Sequence, residues 1–114
     1  MSIAVRRTYF GTLGTFAVLA HLSSEDREVS AIEEIAGKLK PDMIFVSAGF
    51  DAHLTDPLGQ LQLEDPDYSS MTRTIMQWAD DACGGRVVSC LEGGYNLDTL
   101  GGTVVTHVQT LASV

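Results

Sequence analysis

A chain of 114 residues with 45% hydrophobic side chains and a mean hydropathy of +0.12 is sized for one domain and can bury a core rather than stay disordered. A formal net charge of −8 and a pI near 4.5 argue against a nucleic-acid backbone or an anionic membrane surface as partner, and suit a basic or neutral substrate. Two cysteines make no disulfide framework and no Cys-x-x-Cys or His/Cys pair suggests a structural zinc, so Cys83 and Cys90, each in an apolar run, are expected to be core thiols in a reducing compartment.

Residues 1–22 differ in character from the rest. Arg6 and Arg7 are their only charges, ahead of the stretch GTLGTFAVLA from Gly11 to Ala20. A basic start, a short apolar segment and the small-residue end Val18-Leu19-Ala20 resemble a signal peptide, which would make the chain an exported one. Gly11, Thr12, Gly14 and Thr15 dilute the segment, and it is too short to span a bilayer. A strand-like segment or a leader ahead of a domain over 23–114 is the plainer reading, with a cytoplasmic location.

Ser23 and Ser24 then open an acidic patch, and Val29, Ile32, Ile35, Ala36 and Leu39 recur at helical spacing. Serine at the cap, acids in the first turn and Lys38 and Lys40 in the last predict a helix that Pro41 stops. Met43–Val46 reads as a buried strand, followed by a polar loop. Asp65-Pro66-Asp67 predicts a helix start with Asp65 as cap, and Tyr68, Met71, Ile75, Trp78, Ala79 and Ala82 predict its apolar face. Gly84-Gly85 end it, and Arg86–Leu91 is a second strand. A last helix is expected to bury Leu97, Leu100, Val104, Val108 and Leu111. This alternation predicts an α/β fold with parallel strands joined by crossovers.

Both strands lead into chemistry-bearing loops. Asp51, His53 and Asp56 are hard-donor candidates for zinc or a similar ion, although Asp56-Pro57 also fits a plain turn and His53 a solvated loop. Glu92-Gly93-Gly94-Tyr95-Asn96 lacks the spacing of nucleotide-binding glycine loops. Its glycines would let a ligand approach the backbone closely, and Tyr95 could donate to a developing oxyanion; otherwise it is a tight turn with a packed tyrosine. Parallel strands whose loops carry such groups suggest one shared site at the carboxyl edge of the sheet.

SAGFDAHLTDPLG, then LQL, a Tyr-led helix, GRVVSCLEGGYNL and a closing helix, resembles the carboxyl-terminal part of the histone deacetylase superfamily over roughly residues 31–113. That superfamily also includes acetoin-utilisation proteins and acetylpolyamine amidohydrolases. The resemblance implies a partial parallel sheet flanked by helices, cut from the three-layer α/β/α arginase/deacetylase fold. It implies zinc-dependent hydrolysis of an acetylated lysine or acetylated amine. Asp56 would be a zinc ligand and Tyr95 the donor to the substrate carbonyl. Gly93 and Gly94 would line the substrate tunnel, with Leu63 near its rim. Asp51 and His53 would shape the loop or stand behind the ligands. Tyr95, in place of the histidine of one catalytically weak branch, favours deacetylase chemistry.

The family's Asp-x-His zinc ligands and its His-His general-base pair have no counterpart upstream of residue 31, where His21 is the one histidine. Residues 1–30 show no resemblance to the family. One zinc ligand and one oxyanion donor fall short of the three protein ligands and water of a catalytic zinc. The chain is therefore expected to be an incomplete, inactive fragment of a deacetylase. The alternative is a small non-catalytic α/β interaction module, or a homo-oligomer formed through an exposed sheet edge.

Overall fold

The computed structural model describes residues 2–9, 12–21 and 41–113, the first two segments through their backbone alone. The helix expected over Ser23–Lys40 lies outside the described residues. The elements are β1 (Ser2–Tyr9), β2 (Thr12–His21), β3 (Met43–Ala48), α1 (Asp65–Cys83), β4 (Val87–Leu91) and α2 (Leu97–Ala112). They form one four-stranded sheet in the order β2-β1-β3-β4.

β3 and β4 pair in parallel from Ile44↔Val87 to Ala48↔Leu91, with α1 in the connection, as the strand-helix-strand reading requires. On the other side of β3 the antiparallel hairpin β1–β2 extends the sheet, β1 running from Ser2↔Ser47 to Arg6↔Met43 against β3. Residues 2–9 and 12–21 are thus strands of the same sheet.

Alternation along β3 decides the layers. Ile44, Val46 and Ala48 are buried, while Met43, Phe45 and Ser47 are half-buried on the opposite face. The buried face meets Tyr68, Ile75, Trp78, Ala79 and Cys83 of α1 in one core cluster. Ser89 of β4 reaches α2 from the same face, where its hydroxyl meets His107 Nε2 at 2.8 Å. The described residues therefore supply the sheet and one helical layer, part of a three-layer α/β/α arrangement.

Both helices start and stop for local reasons. The cap of α1 is Glu64, one residue ahead of the expected Asp65, and its backbone N–H donates to the Asp67 carboxylate at 2.8 Å. Asp65 is thereby released into the first turn, where it accepts from Thr103 Oγ1 at 2.6 Å. Gly84 closes the helix at φ 61°, a left-handed conformation that glycine adopts without Cβ strain.

Asn96 caps α2 by accepting from the Asp98 N–H at 3.0 Å. The face that α2 buries differs from the expected one. Leu97 is 84% exposed and Val108 53%, while Thr103 and His107 are buried and Leu100 and Val104 pack at the margin of the core. Hydrogen bonds to Asp65, Thr72 and Ser89 satisfy the two polar side chains, so the helix turns its polar stripe inward at little cost. Cys83 is buried as expected, but Cys90 is exposed, because it points away from the helical layer.

Candidate functional site

The loops that follow β3 and β4 are laced together at the carboxyl edge of the parallel pair. The Phe50 N–H donates to the Gly93 carbonyl at 2.7 Å, and Asn96 Nδ2 donates to the Thr55 carbonyl at 2.9 Å. The Thr55 and Thr99 hydroxyls meet at 2.9 Å. Asp56 stands at the centre of this lacing.

Its side chain gathers three backbone donors. Oδ1 accepts from the N–H groups of Leu58 at 2.8 Å and Gly59 at 3.0 Å, folding the Asp-Pro-Leu-Gly turn around the carboxylate. Oδ2 accepts from the Tyr95 N–H at 2.8 Å, across to the other loop. Burial by itself pushes the carboxyl pKa up. The donors on Tyr95, Leu58 and Gly59, with the charge of nearby His53, outweigh it and hold the group below its ordinary 3.8. Asp56 is thus kept ionised and fixed in direction.

Glycines are required at two points here. A side chain at Gly59 would collide with the Asp51 backbone carbonyl, so the turn closes only on glycine. Gly94 has φ 136°, and a Cβ there would meet Leu100 Cδ1 at 2.6 Å. Asp56, Gly94 and Tyr95 line one cleft together with Phe50 and His53. The Tyr95 side chain is half exposed at its mouth.

The other expected residues lie around this cleft in different ways. Asp51 is exposed, with its carboxylate over Gly93, where an added Cβ would sit 2.9 Å from Oδ1. Leu63, expected near a tunnel rim, is 7% exposed and part of the core. Its backbone N–H donates to Ala52 and its carbonyl accepts from Leu54, which turns the side chain inward just ahead of α1.

His53 shares the cleft with Asp56 and also reaches the start of α1. Its Nδ1 accepts from the Thr55 N–H at 3.2 Å, which leaves Nε2 as the protonated nitrogen, 3.5 Å from Asp65 Oδ1. The ring stacks over Tyr68 at 6.4 Å.

These residues do not by themselves fit a catalytic zinc. Among the described residues no group of three or more His, Cys, Asp or Glu side chains could hold a metal ion. Three N–H donors already occupy much of the acceptor capacity of Asp56. A directed, ionised carboxylate beside a phenol and a glycine-built wall can contribute one ligand and one hydrogen-bond donor to a site, and no more.

Sequence reasoning missed Thr55 and Thr99, whose roles rest on contacts between loops that no local pattern marks. It also missed Thr72 and His107, a threonine and a histidine that periodicity alone treats as polar-face residues.

Residues 19–111 match the histone deacetylase domain. The chain belongs to the histone deacetylase domain family. It is 47% identical over 76 residues to histone deacetylase 14, chloroplastic, of Arabidopsis thaliana, an overlap of 67% of this chain and 18% of that protein. It is 40% identical over 93 residues to type-2 histone deacetylase 1 of Dictyostelium discoideum, covering 79% of this chain and 6% of that protein. Among solved structures, the HDA15 HD domain superposes with a TM-score of 0.61 at 36% identity, over 74% of this chain and 23% of that one. The histone deacetylase Clr3 gives 0.63 at 34% identity, over 73% and 13%. The chain thus spans less than a fifth of the length of these curated relatives. The histone deacetylase match begins at residue 19, ahead of the expected start near 31, and so takes in the end of β2, where no chemistry-bearing motif marks it.

Proposed function

We propose that this chain carries the carboxyl-terminal part of a zinc-dependent deacetylase site, and that alone it has little or no turnover. The observation that carries this is Asp56 held against the Tyr95 backbone at 2.8 Å, which keeps the two residues on one cleft. In this reading Asp56 is one zinc ligand, Tyr95 donates its hydroxyl to the carbonyl of an acetylated lysine or amine, and Gly93 and Gly94 leave room for the acyl chain. Asp51 and His53 hold the loop in shape. A histidine general base and the remaining ligands would have to come from elsewhere. The likeness to deacetylases in sequence and fold supports the reading.

A segment exchange tests it. Residues 41–113 are placed into the matching stretch of a full-length relative, and deacetylation of an acetyl-lysine peptide is measured. Activity in the exchanged protein that falls at least a hundredfold with Asp56→Ala, and also with Tyr95→Phe, supports these roles. Activity indifferent to both substitutions contradicts them.

A second reading is favoured by the sheet itself. Among the described residues β4 is an outer strand, and Val88 and Leu91 on it are exposed, which suits a self-associating or partner-binding module without catalysis.

A further inference from the structure

Asn96 does two things with one amide. Its Oδ1 accepts from the Asp98 N–H at 3.0 Å and caps α2, while its Nδ2 donates to the Thr55 carbonyl at 2.9 Å. A flipped amide would set donor against donor at Asp98 and acceptor against acceptor at Thr55, so the two bonds fix one orientation. Thr55 precedes Asp56 and Asn96 follows Tyr95. This bond therefore runs beside the one from the Tyr95 N–H to Asp56 Oδ2 at 2.8 Å. One hydrogen bond lets two loops swing about it; a second at the neighbouring residues fixes their angle.

Thr55 is anchored independently of Asn96. His53 Nδ1 accepts from the Thr55 N–H at 3.2 Å and lies 2.8 Å from the Thr55 hydroxyl, which must then donate to it. That hydroxyl is left to accept from Thr99 Oγ1 at 2.9 Å, on the first turn of α2. His53 Nε2 stands 3.5 Å from Asp65 Oδ1, which also accepts from Thr103 Oγ1 at 2.6 Å. The carbonyl that Asn96 grips is thus held from both helices. On the other side of Tyr95, Gly94 has φ 136° and no side chain with which to restrain its neighbour.

We propose that Asn96 is a positioning residue for Tyr95: by gripping Thr55 it fixes the angle at which the phenol meets the cleft. This rests on the reading above, in which the Tyr95 hydroxyl donates to the substrate carbonyl, and names the side chain that aims it.

Substitutions that keep the cap and lose the grip test it. Serine and aspartate cap helices about as well as asparagine, but serine is too short to reach Thr55 and aspartate carries no donor. In the 114-residue chain, Asn96→Ser and Asn96→Asp should melt with the parent, whereas Asn96→Ala, which also loses the cap, should melt lower. Amide hydrogen exchange followed by NMR should quicken about tenfold at Tyr95 in the serine and aspartate variants. It should stay unchanged at Glu92, whose N–H donates to the Ala48 carbonyl in the sheet. Tyr95 exchange at the parent rate would overturn the proposal, and equal quickening at Glu92 would reduce Asn96 to a cap. In the exchanged protein described above, Asn96→Ser should lower kcat about tenfold at an unchanged KM. An unchanged kcat there, with Tyr95→Phe still damaging, overturns the aiming role alone. Indifference to both substitutions overturns instead the reading of Tyr95.

Discussion

The Tyr95 backbone N–H donates to Asp56 Oδ2 at 2.8 Å, joining two loops thirty-nine positions apart in sequence. The contact is made by the amide, not the phenol, so substitutions at the two positions should separate. Asp56→Ala strands the N–H groups of Leu58, Gly59 and Tyr95 and should lower the melting temperature clearly. Asp56→Asn keeps one acceptor oxygen and should fall between. Tyr95→Phe should melt with the parent chain, since it removes a half-exposed hydroxyl and leaves the amide in place. Equal losses in Asp56→Ala and Tyr95→Phe would show that the phenol, rather than the amide, ties the loops.

Stability should decline on mild acidification because of His107. Burial holds this imidazole's pKa below 6.5. Thr72 Oγ1 gives its proton to the Tyr68 carbonyl at 2.6 Å, so at 2.7 Å it accepts from His107 Nδ1, and His107 Nε2 in turn accepts from Ser89. The unfolded chain protonates this histidine near 6.5, the folded chain only lower. The contribution is therefore fully present above 6.5 and is lost as the pH falls from there toward the folded value. Urea midpoints at pH 7.5 and 5.5 should differ less in His107→Gln than in the parent, and equal differences would remove His107 from the account. Asp56 adds a second decline by the same sign, beginning only below about 3.8.

Tyr68 offers an opposite case. Its ring is fully buried against Phe50, but its hydroxyl has no hydrogen-bond partner among the described residues. Removing an unsatisfied buried hydroxyl while keeping the ring should cost nothing. Tyr68→Phe is expected to leave the unfolding free energy unchanged or raise it by up to about 1 kcal/mol. A loss of similar size in urea titration would mean that the hydroxyl has a partner after all.

The outcome for α2 shows where the sequence was legible and where it was not. The strand-helix-strand order, the stop at Gly84 and the loop carrying Asp56 follow from local chemistry: β-branched runs, glycine, proline and capping acids. The buried face of α2 does not. Leu97 and Val108 suit the apolar period, yet burial of Thr103 and His107 depends on acceptors and donors brought by Asp65, Thr72 and Ser89 from other elements. The same holds at the site. The family resemblance singles out Asp56, Gly94 and Tyr95, which line one cleft, whereas the inward turn of Leu63 and the orientation of His53 toward Asp65 are decided by backbone pairing between segments. The pairing of β1 with β3 is likewise a matter of long-range register, which local sequence does not announce.

The central claim is that Asp56 and Tyr95 form part of a deacetylase site that lacks turnover on its own. Hydrolysis of an acetyl-lysine substrate by the 114-residue chain with added zinc, beside its Asp56→Ala and Tyr95→Phe variants, tests it most directly. The account predicts no hydrolysis above the zinc-only background in any of the three. Turnover by the chain that vanishes in both variants would contradict it, and would mean that the chain itself completes a working site.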